Sequence, residues 1–154
     1  MCKAIGSIYK SIFGIKLDPN ILENQIKLQK SIYLIENMGI RVGNYDFVWS
    51  KYGPYSPDLQ RDILSAKTDS EVQFSSKMID AINFIKEILE EEGSYNEKER
   101  LEMIASLHFI KVCEYNTFIN DELVLKLLRE RKKYLSNIEE NKKGLEIVNQ
   151  KIIV

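Results

Sequence analysis

Residues 27–62 constrain this chain more than any other stretch. They begin with a helical block, Lys27-Leu28-Gln29-Lys30-Ser31-Ile32-Tyr33-Leu34-Ile35, and pass through an aromatic segment, Tyr45-Asp46-Phe47-Val48-Trp49-Ser50-Lys51-Tyr52. They then reach Gly53-Pro54-Tyr55-Ser56-Pro57-Asp58-Leu59, which holds two of the three prolines. Ile21, Leu22, Ile26, Leu28, Ile32, Leu34 and Ile35 cover more than half the circumference of a helix, and a helix that apolar belongs at the centre of a domain. The aromatic segment predicts a strand over 45–52, with Tyr45, Phe47, Trp49 and Lys51 on one face. Gly53-Pro54 predicts a turn. Ser56 as N-cap, Pro57 at the first helical position and Asp58 near the positive helix end predict a helix over 57–66.

The rest of the chain reads as helices around that centre. Ile5, Ile8, Tyr9, Ile12 and Phe13 recur at helical spacing, with Gly14 placed to end the turn. Asp18-Pro19 predicts the N-cap and first turn of the second helix, and Met38-Gly39 its end. Residues 67–74 read as a loop, with Val72 and Phe74 offering a short strand to pair with the 45–52 strand. Met78, Ile79, Ile82, Ile85, Ile88 and Leu89 form the stripe of a helix that ends in the acidic run Glu90-Glu91-Glu92-Gly93. Asn96 or Glu97 opens a helix lined by Leu101, Ile104, Ala105, Leu107, His108, Val112 and Tyr115. Asn120 caps the next, with Leu123, Val124, Leu127, Leu128 and Leu135 facing inward. A last helix over 136–150 is interrupted or frayed at Gly144. The expectation is a mainly α, compact multi-helix domain of about six helices, with a small β-strand or hairpin element around residues 45–52, spanning 1–154 as one unit.

Composition narrows the function classes. Hydrophobic residues at 44% and charged residues at 29% are the balance of a soluble globular protein, and no apolar run reaches the length of a membrane span. A net charge of -1, from 22 basic and 23 acidic side chains, gives no general attraction to nucleic acid. Two distant cysteines, Cys2 and Cys113, and the lack of a signal-like start suit a reduced cytoplasmic setting. His108 has no Cys or carboxylate at a metal-ligand spacing and reads as a packed histidine. Glu87, Glu90, Glu91 and Glu92 point in different directions and read as a solvated helix end, while Cys113 reads as an inert buried thiol. No phosphate-binding loop is present. These residues argue against an enzyme, and no cofactor or metal is expected.

Two groups remain as candidates for recognition. The first is Trp49, Lys51, Tyr52, Tyr55, Asp58 and Arg61, because Tyr and Trp anchor protein interfaces and the prolines stiffen the turn that carries them. The second is the basic cluster Arg129, Arg131, Lys132 and Lys133, with Lys142 and Lys143 downstream, which would serve an alternative role as a winged-helix-like DNA-binding regulator. The 57–66 helix sets only Arg61 against Asp58 and Asp62, which ranks nucleic acid behind a protein partner.

The two blocks Lys27-Leu28-Gln29-Lys30-Ser31-Ile32-Tyr33-Leu34 and Lys51-Tyr52-Gly53-Pro54-Tyr55-Ser56-Pro57-Asp58-Leu59 resemble the signature of the Panacea (SocA-like) antitoxin superfamily, more closely its YwgA-like branch. Ile104-Ala105-Ser106-Leu107-His108-Phe109 is similar to that branch as well. The match covers about a quarter of the chain. The resemblance implies a mostly helical module found beside toxin genes, prophages and defence loci. Such a module acts by binding a protein, either neutralising a toxin or handing it to a protease. The expected partner is therefore a toxin or a protease component, with a homodimer left open and no membrane.

Overall fold

A computed structural model describes residues 4–66 and 72–152. Among these, seven α-helices surround a two-stranded antiparallel hairpin: α1 (Ile5–Phe13), α2 (Leu22–Asn37), β1 (Val48–Ser50), β2 (Gly53–Tyr55), α3 (Pro57–Leu64), α4 (Ser76–Glu90), α5 (Glu97–His108), α6 (Asp121–Arg131) and α7 (Ile138–Ile147). The mainly helical class with one small β element is as the periodicity predicts. No helix is long and apolar enough to cross a membrane, among the described residues.

Two helices form the axis of the molecule. Every residue from 26 to 35 in α2 and from 100 to 108 in α5 is buried, so each helix is covered on all sides. They pack on each other, with α1 and α4 on one flank, α6 and α7 on the other, and β2 laid across both. Burial all round brings polar side chains inside with the apolar ones. In α2 these are Lys27, Gln29, Lys30 and Ser31, and in α5 they are Arg100, Glu102, Ser106 and His108. Buried polar groups must find partners, and that requirement shapes the site described below.

Local signals explain most boundaries. Gly14 takes a left-handed φ of 77° to end α1, and Gly39 does the same at 86° just beyond α2. Ser56 caps α3 through Leu59 N, with Pro57 at its first position. Asn96 and Glu99 form a reciprocal capping box at α5. Asn120 and Asn137 cap α6 and α7.

Several expectations are corrected. α2 begins at Leu22 rather than at Asp18-Pro19, because the Asp18 carboxylate accepts from Asn20 N in a local turn and so does not cap the helix. The β element is shorter than 45–52: only Val48–Ser50 is paired, and Gly53-Pro54 lies in the second strand, with Lys51 and Tyr52 making the turn. Val72 and Phe74 are in no strand, since β1 is already paired by the adjacent segment. Residues 67–71 of that expected loop, and Cys2, lie outside the described residues. α3 stops at Leu64. Leu135 is fully buried but follows the end of α6 at Arg131, while Leu123, Ile79 and Ile138 are exposed.

Gly144 does not break α7. It lies where the helix presses on α5, and a Cβ there would come within 2.3 Å of Met103 Sδ. Both α5 and α7 continue as π-helical turns, Phe109–Glu114 and Val148–Ile152.

Candidate functional site

The two halves of the 27–62 stretch are one mechanical unit. Gln29, on the hairpin side of α2, grips one residue with both ends of its amide: its Nε2 donates to Ser56 O at 2.9 Å, and to Gln60 Oε1 at 3.4 Å, and its Oε1 accepts from Ser56 N at 3.0 Å. From the next residue, Lys30 Nζ donates to Pro54 O at 2.8 Å. A side-chain amide paired to both backbone groups of a residue mimics a strand neighbour. The buried β2 segment is thereby satisfied without a third strand.

A third support rises from the far side. Lys132, immediately after α6, is 3% exposed and donates to Ser50 O at 3.0 Å and to Lys51 O, so it holds the hairpin turn from below. Its counter-charge is Glu102 of α5, 0% exposed, whose Oε2 lies 3.6 Å from Lys132 Nζ and accepts the Tyr134 hydroxyl. Two lysines thus face one carboxylate in a water-excluded space. Burial is the main reason that Lys30 is lowered to about 7, with Lys132 adding to the effect and Glu102 opposing it. Burial also lowers Lys132, against the pull of Glu102. Burial and the Glu102 bond raise Tyr134 well above the usual phenol range. Glu102 Oε1 and Ser106 Oγ have no hydrogen-bond partner among the described residues.

Gly53 closes this arrangement at the top. Its φ is +90°, and a Cβ would meet Ser106 Oγ at 2.5 Å, with Lys30 Cε and Glu102 Cγ at 3.8 Å. Glycine is therefore required twice, once by backbone conformation and once by close approach. The approach to the hairpin is held as firmly. Glu36, at the end of α2, accepts from Val42, Gly43 and Asn44 N on one oxygen and from Tyr45 N on the other, at 2.9 to 3.1 Å. Tyr45 then donates to Asp62 of α3 at 2.7 Å.

The hairpin has an inner and an outer face. Trp49 is paired with Pro54 on the inner face, and its ring lies against Phe109 at 5.7 Å, the Arg131 guanidinium at 5.1 Å and Lys132 Nζ at 5.0 Å. Tyr45, Phe47 and Trp49 all pack on the core. Val48 and Tyr55 face each other across the strands on the outer side, with Val48 54% exposed and Tyr55 half-buried. Tyr52, on the turn, is half-buried with Lys51 and Lys98 both over its ring.

Of the recognition candidates, then, Trp49 belongs to the interior of the hairpin. Lys51, Tyr52 and Tyr55 share its outer surface. Asp58 and Arg61 are exposed on α3 and paired with each other.

The basic cluster does not form a single patch. Lys132 is buried beneath the hairpin, and Arg131 engages both Glu114 oxygens, at 2.8 Å to Oε2, while stacking on Trp49. Arg129 and Lys133 remain exposed. His108 is a packed histidine: 2% exposed, with Nδ1 2.6 Å from Tyr33 Oη, and burial lowers it to about 4.

Cys113 is exposed rather than buried, with Sγ 3.6 Å from Tyr33 Oη. The π-helical turn after His108 carries it off the apolar face that regular α spacing predicts. Glu87, Glu90, Glu91 and Glu92 are solvated, and no group of three metal-ligating side chains converges among the described residues.

Sequence reasoning missed Gln29, Lys30, Glu102 and Ser106. Polar residues inside an otherwise apolar helix were the available signal. Comparison with protein-family models, curated proteins and solved structures found no match to this chain.

Proposed function

We propose that the chain is a non-enzymatic protein-binding module, antitoxin-like or accessory to a toxin–antitoxin, prophage or defence locus. It acts in the cytoplasm by binding a partner protein and neutralising it or delivering it to a protease. One observation carries this reading: the buried clamp holds a short hairpin rigid. Gln29, Lys30 and Lys132 bind five backbone groups of residues 50–56. A hairpin of two strands is marginal alone, and a rigid one loses little entropy when a partner covers its outer face.

The unusual ionisable groups support the same view. Lys30 and Glu102 are 1% and 0% exposed and are engaged with backbone and with Lys132, so they position the hairpin and face no substrate. The side chains offered outward are Val48, Tyr55, Tyr52 and Lys51, a mixture of apolar, aromatic and cationic groups of the kind found at interface anchors.

Co-expression with the product of the neighbouring gene, followed by affinity capture, tests the proposal. The partner should co-purify and its toxicity should be relieved. Tyr55→Ala should weaken the complex by about 1 to 3 kcal/mol while leaving thermal unfolding nearly unchanged. Absence of both capture and rescue sinks the proposal.

A further inference from the structure

The tip of the hairpin gathers two lysines on one ring, with the Glu99 carboxylate as the nearest opposite charge of the same cluster. Lys51, in the turn, and Lys98, in the first turn of α5, place their ammonium groups each 5.4 Å from the centroid of the same Tyr52 ring. Among the described residues neither forms an ion pair. The nearby carboxylates are committed elsewhere: Glu97 to Lys27 at 3.6 Å, Glu99 to the α5 capping box, and Glu102 to Lys132 and Tyr134. Lys98 also stands at the positive end of the α5 dipole, where a cation is disfavoured. Two like charges on one ring, one of them against a helix dipole, create a local positive potential on a chain whose net charge is -1.

We propose that this tip is a carboxylate-reading site that docks an acidic segment of the partner protein. The inference rests on the protein-binding reading given above. Two compact ammonium charges on one half-buried tyrosine ring suit carboxylates on an extended acidic peptide. Tyr134, 47% exposed with its hydroxyl tied to Glu102, adds a second amphipathic ring above the same cluster.

Phosphate is matched best by a guanidinium fork or a nest of backbone N–H groups. The guanidiniums of Arg131 and Arg100 are engaged by Glu114 and Glu140, and the backbone nest at 42–45 is filled by Glu36. A net charge of -1 gives no general attraction to a nucleic-acid backbone, so acidic side chains of a protein are the better occupant. Val48 and Tyr55, on the adjoining outer face, would receive apolar residues beside the acidic ones.

The test uses the isotopically labelled full chain, titrated at low ionic strength with a capped oligoglutamate peptide, its oligoglutamine counterpart and a single-stranded oligonucleotide. Amide shifts confined to residues 50–53, 98 and 134, seen with oligoglutamate and not with oligoglutamine, are expected. Lys51→Gln with Lys98→Gln should weaken that binding about tenfold with unchanged thermal unfolding. Shifts spread over the surface, no shift, or tighter binding of the oligonucleotide would overturn the site.

A captured partner that binds wild type and the double variant equally would also overturn it, while leaving the protein-binding reading intact. Failure to capture any partner, with localised oligoglutamate shifts, would do the reverse.

Discussion

Replacing Gly53 by alanine isolates the contact on which the hairpin clamp closes. The φ of +90° alone should cost about 1 to 2 kcal/mol in a residue with a Cβ. The approach of that Cβ to Ser106 Oγ, at 2.5 Å, adds an overpacking cost of about 1 to 3 kcal/mol, because Ser106 is fully buried on the central helix and has little room to turn. Gly53→Ala should therefore lose about 2 to 5 kcal/mol. Ser106→Ala should be close to neutral, since the hydroxyl it removes is buried without a partner.

In the Ser106→Ala background only the backbone term survives, so the cost of Gly53→Ala should fall to about 1 to 2 kcal/mol. Urea unfolding followed by far-ultraviolet circular dichroism gives all four stabilities, and Trp49 fluorescence reports on the hairpin itself. Equal costs of Gly53→Ala in the two backgrounds, within the roughly 0.5 kcal/mol expected of independent sites, would refute the steric argument. Near-neutral Gly53→Ala would refute the whole account of the closure.

Three other perturbations test the same structure. Gln29→Ala strands the backbone N–H of the fully buried Ser56, whose carbonyl keeps the Gln60 N–H, and should cost about 1 to 3 kcal/mol in the same urea assay, more than an exposed glutamine would. His108 is lowered to about 4 in the folded chain against about 6.5 when unfolded, so its contribution is present above pH 6.5 and is lost as pH falls toward about 4. Stability should drop by up to about 3 kcal/mol over that window, and His108→Gln should flatten that part of the profile. Lys30 is lowered from 10.5 to about 7, so the unfolded chain holds a proton that the folded chain has released, and stability should rise with pH above about 7. Guanidinium unfolding at successive pH values up to about 9 should show a slope near 1.4 kcal/mol per pH unit, and Lys30→Met should remove most of it.

The helices were legible because their information is local. The stripe through Met78, Ile82, Ile85 and Ile88 and the caps at Ser56, Asn96 and Asn120 each depend on neighbours within a few residues, and each stands where the spacing puts it. The hairpin was half legible. Aromatic density marked its first strand, but Gly53-Pro54 carries a turn signal that tertiary contacts override: Pro54 O is taken by Lys30, and Pro54, which has no N–H, is opposite Trp49 in the ladder. The clamp was not legible at all, because Lys30, Glu102 and Lys132 are 72 and 30 residues apart in sequence and no pattern joins them. The same blindness made a surface patch of Arg129, Arg131, Lys132 and Lys133, when the chain leaving α6 at Arg131 turns Lys132 inward and leaves Arg129 and Lys133 exposed.

The charge count beneath the hairpin gives the last step. A buried pair of lysines with one glutamate is a weak source of stability, since the desolvation of three ions offsets most of their attraction. An apolar replacement of similar volume would hold the helices together as well, but it would leave the buried Pro54 carbonyl and the partly buried Ser50 and Lys51 carbonyls without these donors. The lysines are thus explained by the backbone they satisfy and the register they impose, and the glutamate by the lysines. That order of dependence places the hairpin, and the surface it turns outward, as the feature the polar interior of this chain is built to hold.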